Sequence, residues 1–379
     1  MKEKKFFLLP LLVMFFAISC TQVEEEDKTV SLKKVFEEDF YMGVAINPWH
    51  YAEKDSQSVA LIKKEFNSIT AENSMKWMNI HPEPDTFNFA LPDAFVEFGE
   101  ENDMYIIGHT LVWHSQLADW VKEIKDSAEM AQHLEHHIGT IMDRYKGRVH
   151  EWDVVNEALN EDGTLRESVF LKVLGEDYLS LAFKIASEHD PDARLIYNDY
   201  NMTKPEKRDG AIRLIKRIQE NGIKIDGVGL QAHWDIKSDS PTLEEIEESI
   251  KAYTDLGIEV SFTELDINVL PNPWDDVGAD VNRTAEGGRE MDPYTDGMPD
   301  SVQVAFNQRY TDIFELFLKY SDKTHRVTFW GLHDGASWKN NWPIRGRTNY
   351  PLLFNREMEP KEAYNNIIGL KKPDTEMEE

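Results

Sequence analysis

The sequence is poor in cysteine and in positive charge, and each shortage narrows what the protein can be. Cys20 is the single cysteine among 379 residues, so no disulfide can form within the chain and the fold must rest on its core. Lysine and arginine total 41 against 70 aspartate and glutamate residues, which gives a formal net charge of −29. This charge repels nucleic acid and anionic membrane surfaces, so neither is expected as a partner, whereas a neutral polymer is compatible with it.

Long hydrophobic runs, internal repeats and glycine-rich phosphate loops are also lacking. The one pronounced apolar run, residues 6–18, is too short to span a bilayer comfortably. No linker to a second domain is visible in the sequence, so we expect one domain. Its hydrophobic content of 41%, with 11% aromatic residues, is sufficient for a large core.

The N-terminal segment has the pattern of a targeting sequence. Lysines at positions 2, 4 and 5 precede the apolar run, which ends in small residues before Cys20. This order resembles a bacterial lipoprotein signal and implies a signal peptide over residues 1–19 and lipidation of Cys20. The lipid at Cys20 would be the chain's only membrane attachment. Acidic residues after Cys20 resemble those that direct some lipoproteins to the outer surface, so we expect a lipid-anchored protein of the bacterial cell envelope, on the outer membrane.

The chain after the signal is predicted to have one folded domain between two flexible ends. Residues 20–35 carry four consecutive acidic residues at 24–27 and are predicted to form a polar, disordered tether. Residues 371–379 are predicted to form a disordered acidic tail. Residues 36–370 remain for the folded domain.

Short β-like runs alternate with helical stretches throughout that domain. The predicted strands are residues 41–46, 67–71, 105–109, 150–156, 195–199, 227–231, 259–264 and 327–332, with helices at 128–145, 178–189, 207–221 and 243–256 among those between them. Eight such units predict an α/β fold, a (β/α)8 TIM barrel. Unusual polar residues follow almost every strand, as expected for a barrel, whereas a doubly wound sheet would concentrate them at one switch point.

Two glutamates emerge from the ends of predicted strands. Glu157 follows Asn156 at the end of an apolar β-branched run, and Glu264 ends a second such run. Either one alone would be weak evidence, since most glutamates are solvated surface charges. A pair of carboxylic acids at strand ends, among aromatic and amide side chains, is the minimum requirement for cleaving a glycosidic bond.

Eight short motifs follow one another in a specific order. They are Glu-Asn-Ser-Met-Lys at 72–76, Gly-His-Thr-Leu-Val-Trp-His-Ser-Gln at 108–116, Asn-Glu-Ala at 156–158, Asn-Asp-Tyr-Asn at 198–201, Gly-Leu-Gln-Ala-His at 229–233, Thr-Glu-Leu-Asp at 263–266, Phe-Trp-Gly at 329–331 with Asp334, Ser337 and Trp338, and Pro-Leu-Leu-Phe at 351–354. Together they resemble glycoside hydrolase family 10, the retaining endo-β-1,4-xylanases. The resemblance implies a monomeric TIM-barrel hydrolase that cleaves internal bonds of xylan and xylo-oligosaccharides by double displacement, without a cofactor or a metal.

The resemblance also implies a role for each strand-end residue. Glu157 matches the general acid/base and Glu264 the nucleophile. The orienting residues are Asn156, at the sugar 2-hydroxyl, His233, with Asp266 behind it, and Gln231, beside the acid/base. The sugar-binding residues are Glu72, Asn73, Lys76, His109 and Gln116 on the non-reducing side, Tyr200 toward the reducing side, and the stacking rings of Trp113, Trp330 and Trp338.

Three other functions compete with this interpretation. A β-1,4-glucanase could use the same barrel, unless Trp330 and Trp338 close against the hydroxymethyl group that glucose has and xylose lacks. A catalytically silent glycan-binding protein could keep the cleft, but the presence of both Glu157 and Glu264 argues against it. A metal-dependent barrel hydrolase or deacetylase would need a His-x-His or Asp-His-His set at the strand ends, and the sequence has none there.

Three further features give weaker signals. Residues 272–300 are acidic and rich in Gly and Pro, and they form either a surface loop or a wall of the cleft with Trp274 and Tyr294 as contacts. The histidines at 133, 136 and 137 are predicted to lie on a solvated helix face rather than at a metal. Trp152 is predicted to belong to the core.

Overall fold

The computed structural model describes residues 30–52, 55–237, 240–274 and 280–371. The predicted signal peptide, Cys20, the first part of the tether and residues 372–379 of the tail lie outside these ranges. In the part of the chain described, no helix has both the length and the apolar character needed to cross a membrane.

A closed parallel β-barrel forms the centre of the molecule. The strands within the described ranges are β1 (Tyr41–Ile46), β2 (Ser68–Ala71), β3 (Tyr105–Trp113), β4 (Glu151–Asn156), β5 (Arg194–Asp199), β6 (Gly227–Leu230), β7 (His233–Asp235), β8 (Glu259–Asn268) and β9 (Thr324–Phe329). Strands β1 to β6 pair in sequence order, β6 pairs with β8, and β9 joins β8 back to β1. Val44 of β1 shows the closure, because it is in register with Ile69 on one side and Phe329 on the other.

Helices surround the barrel. They are α1 (Leu32–Val35), α2 (Pro48–Tyr51), α3 (Ser56–Glu65), α4 (Trp77–Ile80), α5 (Ala90–Glu101), α6 (Asp119–Glu123), α7 (Ser127–Tyr145), α8 (Val169–Leu174), α9 (Asp177–His189), α10 (Pro205–Glu220), α11 (Leu243–Thr254), α12 (Asp300–Lys319) and α13 (Glu362–Gly369), with short 3-10 turns at Arg289–Met291, Asp334–Ala336 and Trp338–Asn340. A helix of eight or more residues follows each of the eight barrel strands. The predicted (β/α)8 TIM barrel is therefore confirmed.

Local sequence explains where several helices begin and end. Thr242 caps α11 by accepting a hydrogen bond from the Glu245 backbone N–H, while the Glu245 carboxylate accepts from the Thr242 backbone N–H. Helix α9 ends before Asp190-Pro191, and α10 ends before Gly222, whose φ is +70°. Both stop signals were visible in the sequence.

The strand boundaries differ from the prediction at the catalytic end of the barrel. Strands β3 and β8 run several residues further than predicted, so Trp113 and Asp266 lie within strands rather than after them. The last barrel strand lies earlier than predicted and ends at Phe329, which places Trp330 directly after it. Strand β7 was not predicted; it is three residues long and pairs His233 with Asp266 of β8.

The predicted tether is wrong for residues 31–35, because Ser31 and the helix α1 that follows it fold onto the barrel. The side chain of Leu32 is fully buried, and its backbone N–H donates to Glu65 Oε2 at 3.0 Å. Burial of such an apolar side chain stabilises the folded state, so the folded domain includes this segment and begins at residue 31.

The predicted solvated face of three histidines is wrong for one of them. His136 is exposed and His133 is half-buried, but His137 is completely buried in α7. Its ring stacks on Trp77 with centroids 3.6 Å apart, and its Nε2 lies 3.1 Å from the Leu111 carbonyl. The signal for this burial is helical periodicity, because the buried residues Met130, Leu134, Ile138 and Ile141 lie on the same side of α7.

Candidate active site

A pocket at the carboxyl ends of the barrel strands collects almost all of the predicted site residues. It is lined by Glu72, Asn73, Lys76, His109, Trp113, Gln116, Asn156, Glu157, Gln231, His233, Glu264, Val281, Trp330 and Trp338. Of the residues predicted from the sequence, Asp266 lies behind this pocket and Tyr200 lines a neighbouring one. Parallel strands of a closed barrel end on one face, which is why residues on or after six barrel strands meet here, together with His233 of β7.

Glu157 lies directly after β4, and its carboxyl accepts hydrogen bonds from neutral donors. Its backbone is left-handed, with a φ of 55°, and its N–H donates to the Asn198 carbonyl at 2.9 Å. Trp113 Nε1 donates to Glu157 Oε2 at 2.9 Å, and Gln231 Nε2 donates to Glu157 Oε1 at 3.0 Å. Burial raises the pKa of Glu157 above its ordinary value, and the nearby charge of Glu264 raises it further, against the opposing effect of these two hydrogen bonds.

Glu264 lies within β8 and faces groups that favour its ionised form. Asn198 Nδ2 donates to Glu264 Oε1 at 2.8 Å, and His233 Nε2 lies 3.2 Å from Glu264 Oε2. Burial alone would raise the pKa of Glu264, but the hydrogen bond and charge of His233, with contributions from His109 and Asn198, outweigh it and lower the pKa. The two carboxyl groups of the pocket are therefore shifted in opposite directions.

A series of charged and polar side chains lies behind Glu264 and contacts it through His233. His233 Nδ1 lies 3.0 Å from Asp266 Oδ2, and Trp338 Nε1 donates to that same oxygen at 2.7 Å. The Lys339 ammonium lies 3.7 Å from the other oxygen, Asp266 Oδ1. Asp266 is completely buried, and these neighbours lower its pKa although burial would raise it. This arrangement fixes the His233 ring against Glu264.

Asn198, at the end of β5, links the two carboxyl groups through amides. Its Nδ2 donates to Asn156 Oδ1 at 3.0 Å as well as to Glu264, and Thr263 Oγ1 donates to Asn198 Oδ1 at 2.6 Å. Asn156 Nδ2 in turn lies 3.4 Å from Glu157 Oε1. Asn198 was not among the predicted site residues, although its position as a polar residue ending a barrel strand was a usable signal.

Charged and amide side chains that follow β1 and β2 form another wall of the site. Lys76 Nζ donates to Asn73 Oδ1 at 3.0 Å and lies 5.1 Å from the ring of Trp113. Asn47, which was not predicted, donates from Nδ2 to Glu72 Oε2 at 3.4 Å. Hydrogen-bonding groups of this kind, beside aromatic faces, suit a ligand rich in hydroxyl groups.

His109 and Gln116 complete this wall. His109 Nδ1 lies 2.7 Å from Asp153 Oδ2, and its ring lies edge-on to Trp330 at 5.3 Å. Gln116 adopts a left-handed backbone with a φ of 48°, and its carbonyl accepts from the Met78 N–H at 3.0 Å. Two loops that follow different strands are thereby joined at the edge of the pocket.

A second pocket adjoins the first and contains Tyr200. It is lined by Asn160, Glu161, Arg166, Tyr200, Trp274, Asp280, Arg283 and Trp342. Trp342 stacks on Trp338 with centroids 4.7 Å apart, which connects the two pockets through a pair of rings. Trp274 thus lines a pocket, whereas Tyr294 packs against the core and its carbonyl accepts from the Tyr350 hydroxyl at 2.8 Å. Arg166 and Trp342 were not predicted, and no local sequence pattern distinguished them.

Comparison with known proteins gives consistent matches over the folded domain. The sequence profile of glycosyl hydrolase family 10 matches residues 31–370. Endo-1,4-beta-xylanase A of Xylanibacter ruminicola is 41% identical over 345 residues, covering 90% of this chain and 93% of the relative. Beta-1,4-xylanase of Dictyoglomus thermophilum is 38% identical over 377 residues, covering 97% of this chain and 99% of the relative.

Solved structures match as well. A GH10 endoxylanase retrieved from a sugarcane soil metagenome has a TM-score of 0.87 and 42% sequence identity, covering 90% of this chain and 100% of that one. A mutant protein in complex with xylotriose has a TM-score of 0.79 and 35% identity, covering 90% of this chain and 99% of that one.

Proposed function

Because the chain belongs to glycosyl hydrolase family 10, we propose that it is a retaining endo-1,4-β-xylanase acting on xylan and xylo-oligosaccharides. The observation that carries the proposal is the contrast between two buried carboxyl groups of one pocket, Glu157 with a raised pKa and Glu264 with a lowered pKa. Such a pair supplies an acid and an ionised nucleophile at the same pH.

The proposed reaction has two displacement steps. In the first, a Glu264 oxygen forms a bond to the anomeric carbon while the glycosidic oxygen leaves with the proton of Glu157. In the second, Glu157 takes a proton from water, the water oxygen attacks the anomeric carbon, and the Glu264 carboxylate leaves. Two inversions retain the configuration of the sugar.

The contacts of the pocket explain how Glu157 could serve both steps. The charge of Glu264 contributes to the raised pKa of Glu157, and this charge disappears when Glu264 becomes an ester. The pKa of Glu157 then falls, so the group that gave a proton becomes a base. Asn156, held by Asn198 Nδ2, would contact the sugar 2-hydroxyl, where a hydrogen bond strengthens as charge develops on the ring.

Xylan is proposed over glucan because of the aromatic wall. Trp330 and Trp338 line the pocket on the side of His233, with ring centroids 6.4 and 4.9 Å from the imidazole. Rings so placed would clash with a hydroxymethyl group, and a clash discriminates more strongly than a lost contact.

The test of this substrate class is reducing-sugar release from xylan and from carboxymethylcellulose, side by side, with protein that begins after Cys20. We expect strong hydrolysis of xylan and little of cellulose. Comparable rates on both would reject the aromatic wall as a barrier to glucose. Binding without hydrolysis of either polymer would reject the proposed hydrolase activity and indicate a glycan-binding protein.

The two-step mechanism has its own test in two alanine variants. Glu264→Ala should abolish hydrolysis while xylan binding persists, because the nucleophile is lost and the sugar-binding wall is kept. Glu157→Ala should lose activity on xylan but still form the glycosyl ester from aryl xylosides with activated leaving groups, which need no proton. Equal losses on both substrates would contradict the acid/base role of Glu157.

We also propose that the protein is anchored in the bacterial cell envelope through a lipid on Cys20. The support is the sequence order of three lysines, an apolar run and a cysteine. Metabolic labelling with a radioactive fatty acid tests it, and Cys20→Ala is expected to remove the label and release the protein from membranes. Label that persists in Cys20→Ala would reject the site.

A further inference from the structure

Arg166 lines the second pocket and is close to Glu157 in the chain. Residues 159–165 form a short hairpin, closed by a bridge between Leu159 and Leu165, and the Arg166 N–H donates to the Ala158 carbonyl at 2.7 Å. The backbone of Arg166 is thereby tied to the residue that follows Glu157. Its side chain is only 15% exposed.

The guanidinium of Arg166 binds three partners at once. Nη2 donates to the Tyr200 hydroxyl at 2.7 Å and to the Leu159 carbonyl at 3.3 Å, while Nη1 lies 3.2 Å from Asp280 Oδ2. One rigid, planar group therefore joins the hairpin, the end of β5 and the acidic segment after β8. Arginine is suited to such a junction because its donors have a fixed geometry.

Tyr200 has one occupied ring face. Lys207, completely buried, places its ammonium 3.5 Å from the ring centroid and 2.9 Å from Asp199 Oδ1. Lys207 therefore excludes a sugar from this face of Tyr200, and Arg166 fixes the ring by its hydroxyl. Lys207 and Arg166 together fix the orientation of the Tyr200 ring.

Residues 280–283 form a wall shared by both pockets. Val281 lines the active-site pocket, whereas Asp280 and Arg283 line the second one. Ser115 Oγ donates to Asn282 Oδ1 at 3.1 Å, and Trp342 Nε1 donates to the Arg283 carbonyl at 2.9 Å. Asp280 brings a further negative charge to a surface that already contains Glu157 and Glu161, so its position there depends on a cation. Arg166 is the cation that pairs with it.

We propose that Arg166 is a positioning residue for the part of the substrate on the reducing side of the cleaved bond, acting through Tyr200 and through the Asp280 wall. This inference rests on the proposed xylanase function and deepens it. Xylose units beyond the cleaved bond would lie in the second pocket between Tyr200, Trp342 and the 280–283 wall. Misplacement of these surfaces weakens binding of the leaving portion without touching the residues that react.

The test compares two substrates, of which only one places sugar units on the reducing side of the cleaved bond. Xylopentaose places sugar units there, whereas β-xylobiosyl fluoride places a fluoride ion, which departs without a proton from Glu157. For Arg166→Met we expect kcat/KM on xylopentaose to fall about 10- to 100-fold, and to fall at least tenfold more than on xylobiosyl fluoride. The site of cleavage within xylopentaose should also shift, because fewer units bind productively on the reducing side.

Two further variants separate Arg166's roles. Asp280→Asn removes the ion pair but keeps the Tyr200 contact, so it should reproduce part of the loss on xylopentaose. The double variant Arg166→Met/Asp280→Asn should have a kcat/KM on xylopentaose no lower than that of Arg166→Met alone, because both changes break the same ion pair. Arg213→Met is the matched control, since Arg213 donates to the Gly163 carbonyl of the same hairpin at 3.0 Å but lines a different pocket; its substrate ratio should match the wild type.

The pKa of Glu157 provides a check on the interpretation. The charge of Arg166 lowers this pKa, so its removal raises it and keeps Glu157 protonated to higher pH. A loss of xylopentaose activity across the whole pH profile then cannot arise from a shortage of the acid form.

Equal losses on both substrates in Arg166→Met would overturn the proposal and leave Arg166 as a structural residue. An Asp280→Asn variant identical to the wild type on xylopentaose would overturn the part played by the wall, and it does so even if Arg166→Met fails to fold. If the wild type hydrolyses xylobiosyl fluoride but not xylopentaose, the xylanase function itself fails, which is a different result from a changed ratio.

Discussion

At the scale of the residue, hydrogen-bond partners and not burial assign the roles of the two glutamates. Glu157 and Glu264 are 4% and 5% exposed, so desolvation acts on both to nearly the same extent. Glu157 meets neutral donors, Trp113 and Gln231, whereas Glu264 meets an imidazole that carries a positive charge when protonated. A cation stabilises a carboxylate more than a neutral donor does, and the pKa values separate accordingly.

Removing the amide of Gln231 should move the basic limb of the pH profile to higher pH. Burial raises the pKa of Glu157 and the hydrogen bond from Gln231 opposes it, so Gln231→Leu leaves burial less opposed and raises the pKa further. The acid form then persists at higher pH, and we expect the basic limb of kcat/KM to shift upward by up to about one pH unit. The measurement is the pH dependence of xylan hydrolysis.

A glutamine elsewhere serves as the control for that change. Gln219 donates to the Leu256 carbonyl at 3.1 Å, between α10 and the end of α11, and Gln219→Leu should leave the profile in place. A basic limb that stayed fixed or moved to lower pH in Gln231→Leu would show that this hydrogen bond does not govern Glu157.

At the scale of the element, the contact between β3 and β4 depends on a glycine, which has no side chain to obstruct it. Gly108 of β3 faces Trp152 of β4, which is 1% exposed and was correctly predicted to belong to the core. A Cβ at position 108 would lie 2.1 Å from Cε3 of the indole. His109 follows Gly108 directly, so the packing of these two residues also positions a residue of the active-site pocket.

Gly108→Ala should therefore destabilise the barrel. Overpacking of this kind typically costs about 1–3 kcal/mol, and urea denaturation followed by tryptophan fluorescence measures it. Trp152→Leu makes room for the new methyl group, so the double variant Gly108→Ala/Trp152→Leu should be more stable than the sum of the two single effects predicts. Strictly additive effects would mean that the glycine is needed for a different reason.

The elements predicted correctly from the sequence are those whose own residues show a recognisable strand or helix pattern. All eight predicted strands match a barrel strand to within four residues at each end, because buried parallel strands are marked by apolar, β-branched residues. Strand β7 has three residues and is defined only by pairing with β8, and α1 has four residues without helical periodicity. Asn198 ends a predicted strand and so could have been found, whereas Arg166 contacts the site through residues distant in sequence. Motif order therefore found Glu157 and Glu264 but could not find the hairpin contact.

At the scale of the whole molecule, α1 covers the place where the barrel closes. Phe36, which follows α1 and is fully buried, stacks on Phe40 at 5.4 Å and meets Phe314 of α12 at 5.5 Å. Glu65 Oε2 accepts from the Leu32 N–H at 3.0 Å and from the Tyr364 hydroxyl of α13 at 2.9 Å. The start of the domain is thus bound to the helices that follow β1, β8 and β9.

Truncation of this segment should lower stability while leaving catalysis intact. A chain that begins at residue 40 loses the burial of Leu32 and Phe36, and at about 1.5–3 kcal/mol for each side chain its free energy of unfolding should fall by about 3–6 kcal/mol. A chain that begins at residue 30 keeps both side chains and is the control. Because α1 precedes β1 and the pocket lies at the opposite ends of the strands, kcat on xylan well below the unfolding midpoint should be the same for both chains. The urea midpoint is the measurement, and equal midpoints would show that residues 31–39 add nothing to the closure of the barrel.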